Sequence, residues 1–290
     1  MMEWKTKITE MIGCKYPIIL GAFAGFDDKE LTAAISEAGG CGVLTASTYN
    51  TEEEFRNALN YVKEKTNNPF IINFSTFRPI TPEHKYYKFI KLAKKANIKA
   101  IITAGSRVDH LGKAIKDNGL YWIHKGTTMK HALSGEKLGA DAMILTGLEG
   151  GGLKNPDQNT LLINMIHAKK MLQIPFIASG GISEGRGMLA ALLMGASAVH
   201  MCTAFLATVE SPIPDSWKQK IIDADSFNPE FIKFVCHFTS PKPKSTDHSM
   251  AAGTVKKIIT AKELIQNMIT EAEEILKNLG LKSEFIQFQT

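Results

Sequence analysis

Short apolar runs rich in β-branched residues alternate along this chain with longer segments whose apolar residues recur every three or four positions. The runs predict strands and the periodic segments predict helices. Strands are expected over residues 16–20, 41–46, 69–74, 98–103, 120–124, 141–145, 174–179 and 198–201. Helices are expected over 29–38, 51–65, 87–96, 108–118, 129–138, 160–172 and 185–194. Thr51 and Glu54 have the spacing of a capping box. Eight strands, each followed by a helix candidate, predict an α/β fold of the closed (β/α)8 TIM-barrel type. Open doubly wound sheets usually have five or six strands and need a reversal of strand order, which this pattern lacks.

The alternation stops after Ala207. Helices are expected over 214–224 and 229–235, and a polar, basic loop over 237–250. A last amphipathic helix over 261–279 has Leu264, Ile265, Met268, Ile269, Ala272, Ile275, Leu276 and Leu279 on one stripe, which is expected to pack on the barrel. The chain thus divides into a barrel over 1–207 and a C-terminal helical extension over 208–290.

The 290 residues accommodate one such barrel, and 44% apolar residues suit a sizeable core. A net charge of +5 is spread along the chain rather than gathered into a block, so neither nucleic acid nor membrane is indicated as partner, while an anionic ligand is compatible. Cys14, Cys41, Cys202 and Cys236 are widely spaced, which suggests neither a zinc site nor a disulfide framework. With no stretch resembling a signal peptide or membrane span, reduced thiols in the cytoplasm are the expectation. The oligomeric state stays open, a homo-oligomer included.

In such barrels chemistry sits at the C-terminal ends of the strands. Those positions include residues 21–25 with Ala22 and Phe23, Thr45, Ala46, Asn73, residues 103–106, Lys125, residues 146–153 with Thr146 and Gly151, residues 179–182, and Met201, Cys202 and Thr203. They are rich in glycine, amide and hydroxyl groups, with no carboxylate cluster for a metal and no grouping for acyl transfer. This composition suits a large, flat, polar cofactor whose ring carries the chemistry.

Gly180-Gly181, between a strand ending at Ser179 and a helix, makes either a phosphate cradle or a packing corner. Lys125 is either a stabiliser of negative charge or a solvated strand end. Asn73 is either a ligand amide or a loop cap. Glu149 is read as an anchor for the glycine-rich run GLEGGGLKN, and His124 as a satisfied wall histidine. His200 is open to either face. The loop 77–86, with Arg78 and His84, is either a pocket cover or a solvated connector.

At these residues the chain resembles the nitronate monooxygenase family. PIILGAFAG looks like its opening flavin loop, AGGCGVL its second strand, PFIINF its third and TAGS its fourth. WIHKGTTMKHALSGEKLGADAMILTGLEGGG, ASGGISEGRGMLAALLMGASAVHMCTAFLATVESPI and the closing AAGTVKKI continue the match. The resemblance implies an FMN-binding barrel with flavin contacts at Asn73, Thr146, Gly151, Gly181 and the run His200, Met201, Cys202 and Thr203. It also brings Lys125 close to the flavin. Gly180, Gly181 and the turn at 201–203 would take the 5′-phosphate, with Ser179 beside them.

Three positions depart from the family pattern. Leu153 stands where the family has a histidine, so proton abstraction from a neutral nitroalkane is expected to be weak or absent. Ala22 and Phe23 replace the usual proline and methionine. Cys202 replaces a glycine and requires a negative φ.

No catalytic residue is assigned. The reading is an FMN-dependent oxidoreductase that oxidises an alkyl nitronate or similar small anion, with O2 or a quinone as acceptor. Alternatives are an NAD(P)H-dependent reductase of a quinone or enoyl thioester, a flavin-binding protein without turnover, and a flavin-free aldolase-like or isomerase barrel.

Overall fold

Parallel strands buried on both faces need continuous apolar sequence, and the eight runs supply it. The computed structural model describes residues 2–76, 80–81, 83–105, 108–236, 245–246 and 248–281. Its strands are β1 (Ile18–Leu20), β2 (Gly42–Thr45), β3 (Phe70–Thr76), β4 (Ala100–Gly105), β5 (Tyr121–Gly126), β6 (Ala142–Thr146), β7 (Gly152–Leu153), β8 (Phe176–Ser179), β9 (Ala198–Met201) and β10 (Ser245–Thr246). All but β7 and β10 form one parallel sheet in the order β1-β9-β8-β6-β5-β4-β3-β2. Its ends meet where Leu20 N–H donates to Cys41 O at 3.0 Å and Cys41 N–H to Ile18 O at 2.8 Å, which closes the barrel.

The helices outside it are α2 (Lys29–Glu37), α3 (Glu52–Lys65), α4 (Lys85–Lys95), α5 (Asp109–Asp117), α6 (Met129–Lys137), α7 (Leu161–Met171) and α8 (Gly185–Leu193). The capping box at α3 is formed: Thr51 Oγ1 accepts from Glu54 N at 3.1 Å, and Glu54 Oε2 from Thr51 N at 3.2 Å. After β9 come α9 (Thr203–Leu206), α10 (Asp215–Ile222), α11 (Pro229–Cys236) and α12 (Ala261–Asn278). The last packs against α8 and α2 and buries Ile265, Met268, Ile269, Ala272 and Leu276 in the barrel's own apolar cluster. Leu264 and Ile275 are half-buried and Leu279 is exposed, so the expected stripe docks through its centre.

Two features differ from the sequence expectation. A helix α1 (Lys7–Ile12) precedes the barrel, capped by Thr6 and anchored by buried Ile8 and Ile12. Six residues are too few to show a helical period, hence its absence from the pattern. The 237–250 stretch was expected to be loop, yet β10 pairs antiparallel with β7, setting Ser245 beside Leu153 and Thr246 beside Gly152. Two-residue pairings leave no alternation to detect. Phe77, Arg78, Ser106 and residues 237–244 lie outside the described residues. No helix among the described residues is long and apolar enough to cross a membrane.

Candidate cofactor site at the strand ends

Strand register decides which side chains reach the barrel mouth. Neighbouring pairs Thr45 and Asn73, Ala104 and Lys125, Thr146 and Ser179, and Ser179 and His200 share a face. The opposite face meets the helices: a Cβ on Gly112 would strike the Trp122 ring at 2.5 Å, and one on Gly135 would approach His124 Cδ2 at 3.2 Å. Asn73, Lys125, Thr146, Ser179 and His200 therefore point into the barrel, while His124 and Met201 point towards the helical layer.

His124 is accordingly a satisfied wall residue, its Nδ1 2.8 Å from Thr103 Oγ1. Burial holds its pKa down at about 4. His200 faces the lumen, where its Nδ1 lies 3.0 Å from Ser179 Oγ. Burial, then the positive charge of Lys125, pushes His200 well below its ordinary value. The imidazole is neutral at physiological pH.

Three observations show what the mouth can hold. Thr146 is 2% exposed and its buried Oγ1 has no hydrogen-bond partner among the described residues. Such an unsatisfied hydroxyl costs free energy unless something docks on it. Lys125 is only partly exposed and makes no ion pair or hydrogen bond with the described residues; burial lowers its pKa. Gly180 and Gly181 adopt φ of +108° and +71°, and their N–H groups donate to no described residue. Their conformation also serves packing, since a Cβ on Gly180 would lie 2.8 Å from Gly150 N. The cradle and the packing corner are one structure. A buried hydroxyl, a cation and two backbone N–H groups without a described acceptor fit a phosphorylated heterocycle.

The remaining candidates surround these groups. Asn73 is buried, and its Nδ2 donates to Ser75 Oγ at 3.3 Å. Ala22 and Phe23 are half-buried beyond β1, and Phe23 packs on Phe26 with centroids 6.0 Å apart. Met201 contributes its carbonyl, which accepts from Gly21 N at 2.6 Å. Cys202 has φ −115°, so the conformational requirement on this replaced glycine is met. Burial pushes its thiol up to about 12, partly offset by Lys125. Thr203 Oγ1 accepts from Ser249 N at 3.2 Å and lies 2.9 Å from Ser249 Oγ. Gly151 meets the same segment, since a Cβ there would lie 3.0 Å from His248 C. Glu149 anchors its loop as expected, accepting from Leu161 N at 2.8 and 3.1 Å. Leu153, 40% exposed, sits on the ribbon beyond that loop.

Sequence reasoning missed Asp28, Lys154, Gln158 and the 248–250 segment. Asp28 stands at the N-cap position of α2 without a side-chain cap bond; its carboxylate accepts from Thr45 N at 3.1 and 3.2 Å and from the Thr45 hydroxyl. Burial raises its pKa to about 7. Lys154 stands next to a glycine run that carries no period to show burial, and it is 3% exposed.

The fold and site define a parallel (β/α)8 barrel whose strand-end rim carries amide, hydroxyl and glycine groups together with Lys125. Residues 5–236 match the nitronate monooxygenase family, and the chain belongs to that family. A dehydrogenase of Mycobacterium tuberculosis, named for a hydroxy-methyl-oxo-octahydroindene-carboxyl-CoA substrate, is 33% identical over 224 residues, or 77% of this chain. The chain spans 61% of that relative's length. A probable nitronate monooxygenase of Staphylococcus aureus is 29% identical over 259 residues, covering 76% of this chain and 73% of the relative. Among solved structures, FabK from Thermotoga maritima superposes with TM-score 0.80 at 25% identity over 95% of this chain and 98% of its own. Nitroalkane oxidase from Streptomyces ansochromogenes, 20% identical with TM-score 0.74 over 94% of this chain and 99% of its own, shares the fold.

Proposed function

We propose that the chain is an FMN-dependent oxidoreductase of the nitronate monooxygenase type, oxidising an alkyl nitronate or similar small anion with O2 as acceptor. The observation that carries this reading is the Lys125 ammonium, which has no hydrogen bond or ion pair among the described residues, in a rim made mainly of amide, hydroxyl and glycine groups. An unpaired cation in a partly dry site is costly, so it points to an anionic ligand or substrate.

Asn73, Thr146, Gly151, Gly180, Gly181 and the 200–203 run would hold FMN. When bound, FMN supplies an electron- or hydride-accepting ring. Lys125 attracts the anion and holds negative charge at the mouth. His200, neutral and bonded to Ser179, shapes the wall without offering a second cation. Leu153 cannot take a proton, so the substrate must arrive already ionised. Thr203 and Ser249 close the phosphate end.

A second reading, an NAD(P)H-dependent reductase of a quinone or enoyl thioester, is favoured by the acyl-CoA substrate named for the mycobacterial relative. Placement in the cytoplasm and the division at residues 207 and 208 belong to the same proposal. Anaerobic mixing of the flavinated protein with propionate 3-nitronate, NADH and NADPH separates the readings. Bleaching by nitronate supports the first and bleaching by pyridine nucleotide the second. Persistent yellow with all three supports a flavin protein without turnover.

A further inference from the structure

Lysine is rarely buried without a partner. Lys154 is 3% exposed, and its partners are carbonyls rather than a carboxylate: the ammonium donates to Leu148 O at 2.5 Å and also to Gly150 O. Glu149, close in sequence, has its carboxylate on Leu161 N. Gln158 does similar work four residues on, its Nε2 donating to Thr146 O at 2.9 Å and Gly147 O at 2.8 Å. Two buried side chains thus hold four carbonyls at the glycine-rich loop, those of Thr146, Gly147, Leu148 and Gly150.

The restrained segment includes Gly150, whose N and Cα lie 2.8 and 3.0 Å from where a Gly180 Cβ would be. Lys154 therefore bears on the cradle through one intermediate residue. Its charge is only partly compensated there. Burial lowers its pKa to about 8, with Lys125 acting in the same direction and Cys236 and Glu149 against it. A bound anion would relieve that penalty.

We propose that Lys154 is a positioning residue for the phosphate end of the cofactor, bracing the glycine-rich loop behind Gly180 and Gly181 and placing a fixed positive charge there. This rests on the FMN reading. It concerns the phosphate rather than the ring, so it separates FMN from riboflavin. The test is equilibrium titration of flavin-free protein with both flavins, followed by fluorescence, for wild type, Lys154→Met and Lys154→Gln.

The wild type is expected to prefer FMN. Lys154→Met, which loses charge and donors, is expected to lower that preference about tenfold or more, the loss typical of a charged hydrogen-bonding group. Lys154→Gln, which keeps two donors without the charge, is expected to lower it about threefold or more through lost attraction for the phosphate. Riboflavin affinity is expected to stay within about threefold of wild type in each variant, because no phosphate is present to feel the change. A preference unchanged in the variants, or equal weakening of both flavins, overturns the proposal. Should the methionine variant fail to fold, the glutamine variant decides by the same ratio. Wild-type protein that binds neither flavin overturns the FMN reading itself and this inference with it, whereas a wild type that binds FMN with the ratio unmoved in the variants overturns this inference alone.

Discussion

Ser179 Oγ and His200 Nδ1 lie 3.0 Å apart across adjacent strands at the barrel mouth. The bond fixes the imidazole on the lumen side, where burial and Lys125 keep it uncharged.

Stability should depend on pH because of such histidines. His124 and His200 both have folded pKa values below the unfolded value of 6.5. Their contribution is present above pH 6.5 and is lost as pH falls towards the folded values, since the unfolded chain then binds more protons. For His124 the gap from 6.5 to about 4 corresponds to about 3 kcal/mol. Asp28, raised to about 7, changes stability the opposite way over the same range. Chemical denaturation at pH 7.5 and pH 4.5 is therefore expected to show the wild type losing more stability on acidification, or gaining less, than His124→Gln. An equal pH dependence of the two proteins contradicts the burial described.

Thr146→Val is expected to leave the flavin-free protein as stable or slightly more so, because it removes a buried hydroxyl without a partner. FMN affinity should fall roughly tenfold, one hydrogen bond's worth. Melting curves and FMN titration check both halves. A variant that binds FMN like wild type removes Thr146 from the site.

Lys125→Met is expected to keep or raise the melting temperature, since no native bond to a described residue is lost. Binding of a small anion such as a nitronate to the oxidised protein should weaken about tenfold to a hundredfold, as expected for losing a charged partner. Neutral ligands should bind as before. Equal effects on charged and neutral ligands would assign Lys125 a purely structural part.

The barrel was legible because its signals are repetitive: eight apolar runs alternated with seven helical periods, and an error of one or two residues at each end did not alter the count. Register added what composition lacks. It sent His124 outward and His200 inward, although both are single histidines in apolar strands. Lys154 and Gln158 were hidden because their roles depend on carbonyls several residues back in a loop without period. The β7–β10 pairing joins residues about ninety positions apart, through segments too short to show alternation.

Leu153→His should confer oxidation of a neutral nitroalkane such as nitroethane, measured as anaerobic flavin bleaching, if this exposed position lies over the reacting ring. The wild type should bleach with the preformed nitronate and not with the nitroalkane. A folded, flavinated variant without gain counts against that placement of the ribbon.

Titration of flavin-free protein with FMN tests the central claim most directly. Saturation at one FMN per chain, with a Kd of about 1 µM or tighter and a melting temperature that rises with FMN concentration, is the expected result. Absence of saturable binding, with a melting temperature indifferent to FMN, would contradict it.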